Sequence, residues 1–274
     1  MSVPLDMGHL ERWVGREERA SDLITPVLVE RFKATLGSSL LGLHWCLAPP
    51  TVPMSEVGVD GHPQKGGFLP PVSLQYRMWA AGETVFFADL PENGAVERHS
   101  TIEDVMLKQG STGPLVFVNV VHRYHAEEEL KLQERQTIVY KETAAAALSK
   151  MGEPFKADFQ QTLETNSVLL FRYSALTFNG HRIHYDEPYA REVEGYEGIV
   201  VHGPMIATCL MQLAASEAER MGVALESFSF RGVSPAISGD DLQLLGRCEE
   251  GGFVLEARNA AGHVKMKAKA ALKA

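Results

Sequence analysis

"VVHGPMIATCLMQLAASEAERMG", residues 200–222, decides how the rest of the chain is read. From Pro204 to Ala215 it carries no charge. Pro204 suits the first turn of a helix, where its missing N–H would have no partner anyway. A helix should therefore start near Gly203. One that is apolar on nearly every side should be wrapped by other structure rather than lie on the surface. The wrapping is expected just downstream. "DLQLLGRCEE" (241–250) turns at Gly251 and Gly252 into "FVLEARN" (253–259), and "AAG" leads into "HVKMKAKAAL" (263–272). In that last run Val264, Met266, Ala268 and Ala270 alternate with lysines, a period of two that predicts an outer strand with one wet face. The unit is a long helix followed by antiparallel strands.

The first half shows a similar layout without obvious sequence identity. Residues 9–36 are expected to be helical. "SDLITPVLVERFKATLG" (21–37) opens on the N-cap residues Ser21 and Asp22 and closes on Gly37, with Leu28, Phe32, Thr35 and Leu36 on one face. "LLGLHWCLAP" (40–49) reads as extended. Residues 49–71 are rich in Pro and Gly and form a long irregular loop, of a length that often covers a ligand. Strands follow at 97–108, 115–125 and 130–140, the second strongly β in composition ("LVFVNVVHRYH"). Residues 142–166 read as a connector, part helix, broken by Gly152 and Pro154. A short strand at 167–170 then opens the second unit. The proposed division is 1–141, 142–166 and 167–274. Residue patterns alone fit either two helix-and-sheet units in one chain or a single α+β domain with one large sheet.

Composition narrows the function classes. The 274 residues are 45% hydrophobic and 22% charged, with a formal net charge of −9. Binding nucleic acid by phosphate neutralisation needs clustered Lys and Arg, so that role is not expected. Cys46, Cys209 and Cys248 are far apart and lack metal-ligand spacing, which predicts free thiols and no metal. No apolar h-region opens the chain and no membrane-length apolar run occurs. The expectation is a cytoplasmic protein.

Chemistry-bearing residues concentrate at 171–190, "FRYSALTFNGHRIHYDEPYA". His181 and His184 are three apart, Asn179 lies five before His184, and Asp186 two after it. Histidine moves protons near neutral pH, and a neighbouring amide or carboxylate can orient a water for it. The competing reading is that these groups cap a helix and brace loops. About 20 residues on, His202-Gly203-Pro204 opens the apolar helix. Its N-terminus presents free N–H groups and the positive dipole end, and Gly203 admits a ligand close to the backbone. An oxyanion is stabilised by such groups.

Residues 171–215 resemble the MaoC-like hydratase and dehydratase family. The resemblance rests on Phe171, Ser174, Asn179, His184, Asp186 and Ala190, followed by Val201-His202-Gly203-Pro204. It implies a double hot-dog fold of the α+β class, antiparallel sheets wrapped around long helices, with a degenerate first unit; "ERQTIVY" (134–140) is similar to that N-terminal domain. It implies a hydro-lyase acting on an acyl-CoA thioester, with no cofactor beyond the CoA of the substrate and a possible homodimer. Site residues carried over are His184, Asn179 and Gly203 as catalytic, with His181, His202, Arg172, Arg182 and Asp186 toward the substrate. One position departs from the family. Its aspartate, five before the histidine, is Asn179 here; an alignment with an insertion puts Thr177 there instead. "SALTFNGHRIHYD" resembles the subgroup of mitochondrial-type 3-hydroxyacyl-thioester dehydratases and C5 dicarboxylyl-CoA hydratases. For a dicarboxylyl substrate, Arg172 or Arg182 is the expected cation. A thioesterase and a non-catalytic acyl-CoA-binding hot dog are the alternatives, because fold does not fix function. The acidic net charge favours CoA over an acidic carrier protein.

Overall fold

The computed structural model describes residues 5–110, 113–143 and 151–273. Ten strands form one antiparallel sheet in the order β1-β3-β4-β5-β2-β7-β10-β9-β8-β6. In chain order the elements are α1 (Met7–Leu10), β1 (Glu17–Ile24), α2 (Pro26–Leu36), β2 (Tyr76–Phe86), β3 (Gly94–Gly110), β4 (Gly113–Ala126) and β5 (Glu129–Lys141). Then come β6 (Phe159–Leu163), α3 (Ser167–Thr177), α4 (Glu187–Glu192), α5 (Gly203–Arg220), β7 (Leu225–Gly232), β8 (Leu242–Glu249), β9 (Gly252–Asn259) and β10 (Val264–Leu272). The order has a symmetry. Read inward from either edge, β1-β3-β4-β5-β2 corresponds to β6-β8-β9-β10-β7. Each half places a helix between its edge strand and the rest of its sheet, α2 in the first and α5 in the second. The two readings left open by residue pattern therefore meet: two hot dogs share one continuous sheet.

The halves join where β2 pairs with β7, from Ala81 opposite Arg231 to Val85 opposite Ser227. Gly82 faces Phe230 there, and a Cβ on Gly82 would stand 2.6 Å from the Phe230 ring. The missing side chain gives the ring its space.

Helix α5 explains the second core. Met205, Ala207, Leu210, Met211, Ala214 and Ala218 are fully buried, packed against Phe228, Leu242, Leu244, Leu255 and Ala257 of the sheet. Alanines on the helix let the sheet close around it; a buried Leu or Met adds about 1.5–3 kcal/mol each. Helix α2 is held by Val29 and Phe32 against Ile24, Val96, Tyr124 and Leu132.

Several expected elements change. The helix foreseen over 9–36 is interrupted by strand β1, which pairs along its length with β3. Ser21 and Asp22 therefore cap nothing. Thr25 caps α2, its Oγ1 accepting from Leu28 N at 3.1 Å, while Asp22 accepts from Ala48 N at 2.6 Å. Gly37 ends α2 with φ +99°. Residues 40–49 are turns and a 3-10 segment (Leu43–Cys46), not extended. Strands β2 and β7 lie outside the strand runs expected from sequence, and β6 lies within the expected connector. Residues 144–150 of that connector lie outside the described residues, as do Ser111 and Thr112 of the expected turn. The apolar 167–170 is the first turn of α3, capped by Asn166, and not a strand. Strand β10 is interior, between β7 and β9; its wet lysines, Lys267 and Lys269, lie on the outer face of the sheet rather than at its edge. Among the described residues, no helix is long and apolar enough to cross a membrane.

The first half buries His44 and His122. Burial pushes both down to about 3, with the Arg98 charge adding to the effect at His122. Unfolded, they titrate near 6.5. The native state therefore binds fewer protons, and the stability these groups confer is complete above about pH 6.5 and lost as pH falls from there. The slope is about 1.4 kcal/mol per pH unit for each. Denaturant melts between about pH 7 and pH 4 should show a decline that begins in the histidine range. His44→Leu should make that decline shallower; an equal slope would remove His44 from the account.

Candidate active site

Helix α3 ends at Phe178 in a left-handed conformation, φ +51°, which turns the chain sharply. Asn179 N donates back to Ser174 O at 2.9 Å, and Asn179 Oδ1 accepts from His181 N at 2.9 Å. A 3-10 turn, Arg182–His184, follows. Asp186 then caps α4 by accepting from Tyr189 N at 3.1 Å. The motif is thus a chain of local caps that leaves His181 and His184 pointing inward, both buried.

His184 Nδ1 lies 2.7 Å from Val200 O. A carbonyl only accepts, so Nδ1 carries the proton and Nε2 keeps its lone pair. The ring stacks on His202 with centroids 3.7 Å apart and an interplanar angle of 20°. His181 meets it edge-on at 5.4 Å. Burial first, then the neighbouring His202 and His181, hold the His184 ring well below the ordinary histidine range, against the pull of the Val200 carbonyl. It is a neutral proton acceptor at pH 7. His202 is fully buried and pushed down to about 3, mainly by burial. Its Nε2 is 2.8 Å from Ser174 Oγ, which ties α3 to the start of α5.

The first turn of α5 has no side-chain cap, and a Cβ on Gly203 would meet no protein atom within 4 Å. The N-terminus of an 18-residue helix thus opens onto space beside the His184–His202 stack. Its unpaired N–H groups and dipole favour negative charge there.

The sequence-level candidates separate into two groups. His181, His184, His202 and Gly203 come together. Arg182 instead binds Asp186 through Nε and Nη2, at 3.0 and 2.7 Å, and lies over the Tyr189 ring at 4.0 Å. Arg172 Nη1 points to Ala34 O at 3.4 Å, toward the end of α2. Asn179 spends its carbonyl on the motif's own backbone, accepting from His181 N.

Residues that carried no sequence signal also reach the site. The 49–71 loop crosses from the first half onto the motif: Arg182 N donates to Asp60 O at 2.9 Å and Arg182 Nη1 to Val59 O at 3.1 Å. It delivers His62, whose ring is 4.1 Å from that of His181. Asp60 Oδ2 is 3.0 Å from His62 Nδ1. Glu194 Oε1 stands 3.8 Å from His181 Nε2. The ligand atoms of Asp60, His62 and His181 lie within 4.8 Å of one another, a donor set that a divalent metal could use. Only the loop's Pro and Gly content hinted at a cover; nothing marked Asp60 or His62 as its tip.

Comparison with known proteins agrees with this architecture. HtdX of Mycobacterium tuberculosis superposes with a TM-score of 0.69 at 20% identity, covering 93% of this chain and 99% of that one. The class is that of the double hot dogs of MaoC-like type, hydratases and dehydratases. Residues 42–238 match the family of hydroxyacyl-thioester dehydratases type 2. The chain belongs to that family and is a hydro-lyase. Mesaconyl-C(4)-CoA hydratase of Chloroflexus aurantiacus is 37% identical over 269 residues, covering 93% of this chain and 95% of the relative. The mitochondrial hydroxyacyl-thioester dehydratase type 2 of Schizosaccharomyces pombe is 24% identical over 262 residues, covering 81% and 87%.

The loop meets the motif at two glycines. Gly61 has φ +87°, and a Cβ on it would fall 1.9 Å from Gly180 O. Gly61→Ala should lift the loop from the motif. Limited proteolysis within 49–71 should speed up markedly while α5 and the sheet stay folded by circular dichroism. Unchanged cleavage would mean the loop is held elsewhere.

Proposed function

We propose that the protein is an acyl-CoA hydratase, adding water reversibly across the α,β double bond of a short enoyl-CoA. The substrate we infer is a branched C5 dicarboxylyl ester, mesaconyl-C4-CoA or itaconyl-CoA, with citramalyl-CoA as the hydrated partner. The observation that carries the reading is His184: its Nδ1 is fixed on Val200 O and its Nε2 left as acceptor. It sits beside His202, the residue that leads into the uncapped start of α5. The 37% identity to a mesaconyl-C(4)-CoA hydratase supports the acyl class.

In this mechanism His184 Nε2 takes a proton from water as the water oxygen bonds to the β-carbon. The π pair moves onto the thioester, whose oxygen turns negative against the Gly203 N–H at the helix N-terminus. The His184 imidazolium then returns the proton to the α-carbon on the same face, and the thioester carbonyl re-forms. Asn179 steadies the water through its NH2. His202 packs the His184 ring flat. His181 and Asp186 hold the motif in shape, Asp186 through its pair with Arg182.

A dicarboxylyl substrate needs a cation for its free carboxylate. Arg172 reaches the end of α2 and Arg182 pairs with Asp186, whereas Arg77 of β2 lies beside Asp60 and His62, so we assign that role to Arg77. Its Nη2 is 3.3 Å from Pro63 O, and its charge acts on Asp60 and His62. The second reading, a 3-hydroxyacyl-thioester dehydratase, is favoured by the family match and the yeast relative.

The test is a panel of crotonyl-, mesaconyl- and itaconyl-CoA. Enoyl absorbance should fall without release of free thiol; thiol release would indicate a thioesterase, and binding without reaction a non-catalytic protein. His184→Ala should lower kcat by about 10²–10⁴. Because the rate requires neutral His184 and its pKa is depressed, kcat/KM should hold as pH drops through about 6.5 and fail only well below it. Arg77→Gln should raise KM for the dicarboxylyl esters roughly tenfold or more and leave KM for crotonyl-CoA unchanged.

A further inference from the structure

His184 has an electrostatic difficulty. When its Nε2 takes a proton, a cation forms in a buried place among imidazole rings: His202 at 3.7 Å, His181 at 5.4 Å, and His62 beyond it at 4.1 Å from His181. An unpaired buried charge is costly. Where the resemblance implies a carboxylate five residues before the histidine, Asn179 is neutral.

The loop from the first half carries one. Asp60 grips His62 with both oxygens: Oδ1 accepts from His62 N at 3.1 Å and Oδ2 from Nδ1 at 3.0 Å. That fixes the proton on Nδ1 and the ring plane with it. The turn bearing them is closed by Gly58 N to His62 O at 2.7 Å and Gly61 N to Gly58 O at 3.0 Å. It is locked onto the motif through Arg182 N and the Gly61–Gly180 contact. Burial would raise the Asp60 pKa, but the His62 hydrogen bonds and the Arg77 charge bring it below the usual carboxylate range, so it is an anion at neutral pH.

We propose that Asp60 and His62 are positioning residues for proton transfer: the anion that the motif lacks at Asn179 is supplied from the first half, and acts on His184 through His62 and His181. The inference rests on the hydratase reading of His184. As the water proton reaches His184 Nε2, Asp60 offsets the new positive charge along the ring series, with Glu194 adding its charge at His181. The proton goes on to the α-carbon from His184 itself, so none is stored in the pair and none leaves the site. Other charged and titratable groups around the pair are Arg77 of β2, Lys65 on the loop, Tyr140 of β5, Arg182, and Tyr189 of α4. The same atoms suit a metal, but both carboxylate oxygens already accept from His62, an arrangement that orients a ring without one.

The experiment compares wild type, Asp60→Asn, Asp60→Glu and His62→Ala on whichever enoyl-CoA the wild type hydrates, with and without EDTA. Asp60→Asn should lower kcat about 10²-fold with KM within about twofold, and shift the acid limb of kcat/KM to lower pH, because an imidazolium without its anion is harder to form. Asp60→Glu should recover part of the rate, and His62→Ala should match Asp60→Asn. EDTA should change nothing. Wild-type kcat and pH profile in Asp60→Asn, a loss confined to KM, a melting temperature drop that accounts for the loss, or activity that EDTA removes and a divalent metal restores would each overturn the proposal. If the wild type hydrates no thioester, the function reading falls by itself. The pair is then judged by NMR titration of the His184 ring, which must protonate at lower pH in Asp60→Asn than in wild type; an equal titration overturns it.

Discussion

The pairing of β2 with β7 is the constraint on which everything else rests. Those rungs turn two five-stranded halves into one sheet and set how the first half faces the second. The seam tolerates no spare volume, since Gly82 must stay bare for Phe230 to lie across it. With the seam in place, the 49–71 loop crosses to the second half and lands on the motif that follows α3. The site is therefore a product of sheet geometry before it is a product of its own residues.

Within the site, local and distant interactions have different tasks. Local caps shape the motif: Asn166, Asn179 and Asp186 each accept from a backbone N–H two or three residues on. Such bonds satisfy backbone donors at helix and turn starts. Distant bonds then set chemistry. Val200 O fixes the His184 tautomer, Ser174 fixes His202, and Asp60 fixes His62. Each imidazole thus has one nitrogen bonded to an oxygen that orients it.

The sequence is most legible where one signal dominates. Helix α5 is legible because residues 204–215 carry no charge, and β4 because valines and aromatic residues crowd it. Strand β1 is not, because "EERASDLI" is rich in helix formers and becomes a strand only through its ladder to β3. Three apolar residues at 168–170 fit a strand or a helical turn equally, and Asn166 as cap decides it. In the site, His181, His184, His202 and Gly203 could be picked out because they crowd two short motifs. Asp60 and His62 could not, since their partners lie about 120 residues away. The directions of Arg172 and Arg182 were equally hidden, as a long cation takes whichever acceptor tertiary packing offers.

One consequence of the fused halves concerns assembly. The loop and the motif it covers belong to one chain, tethered through the seam. Bringing Asp60 and His62 to His181 therefore carries no penalty for lost translational freedom, the penalty two separate subunits would face. The covered state has the same occupancy at any dilution. The first half thereby serves the second as a permanently attached cover.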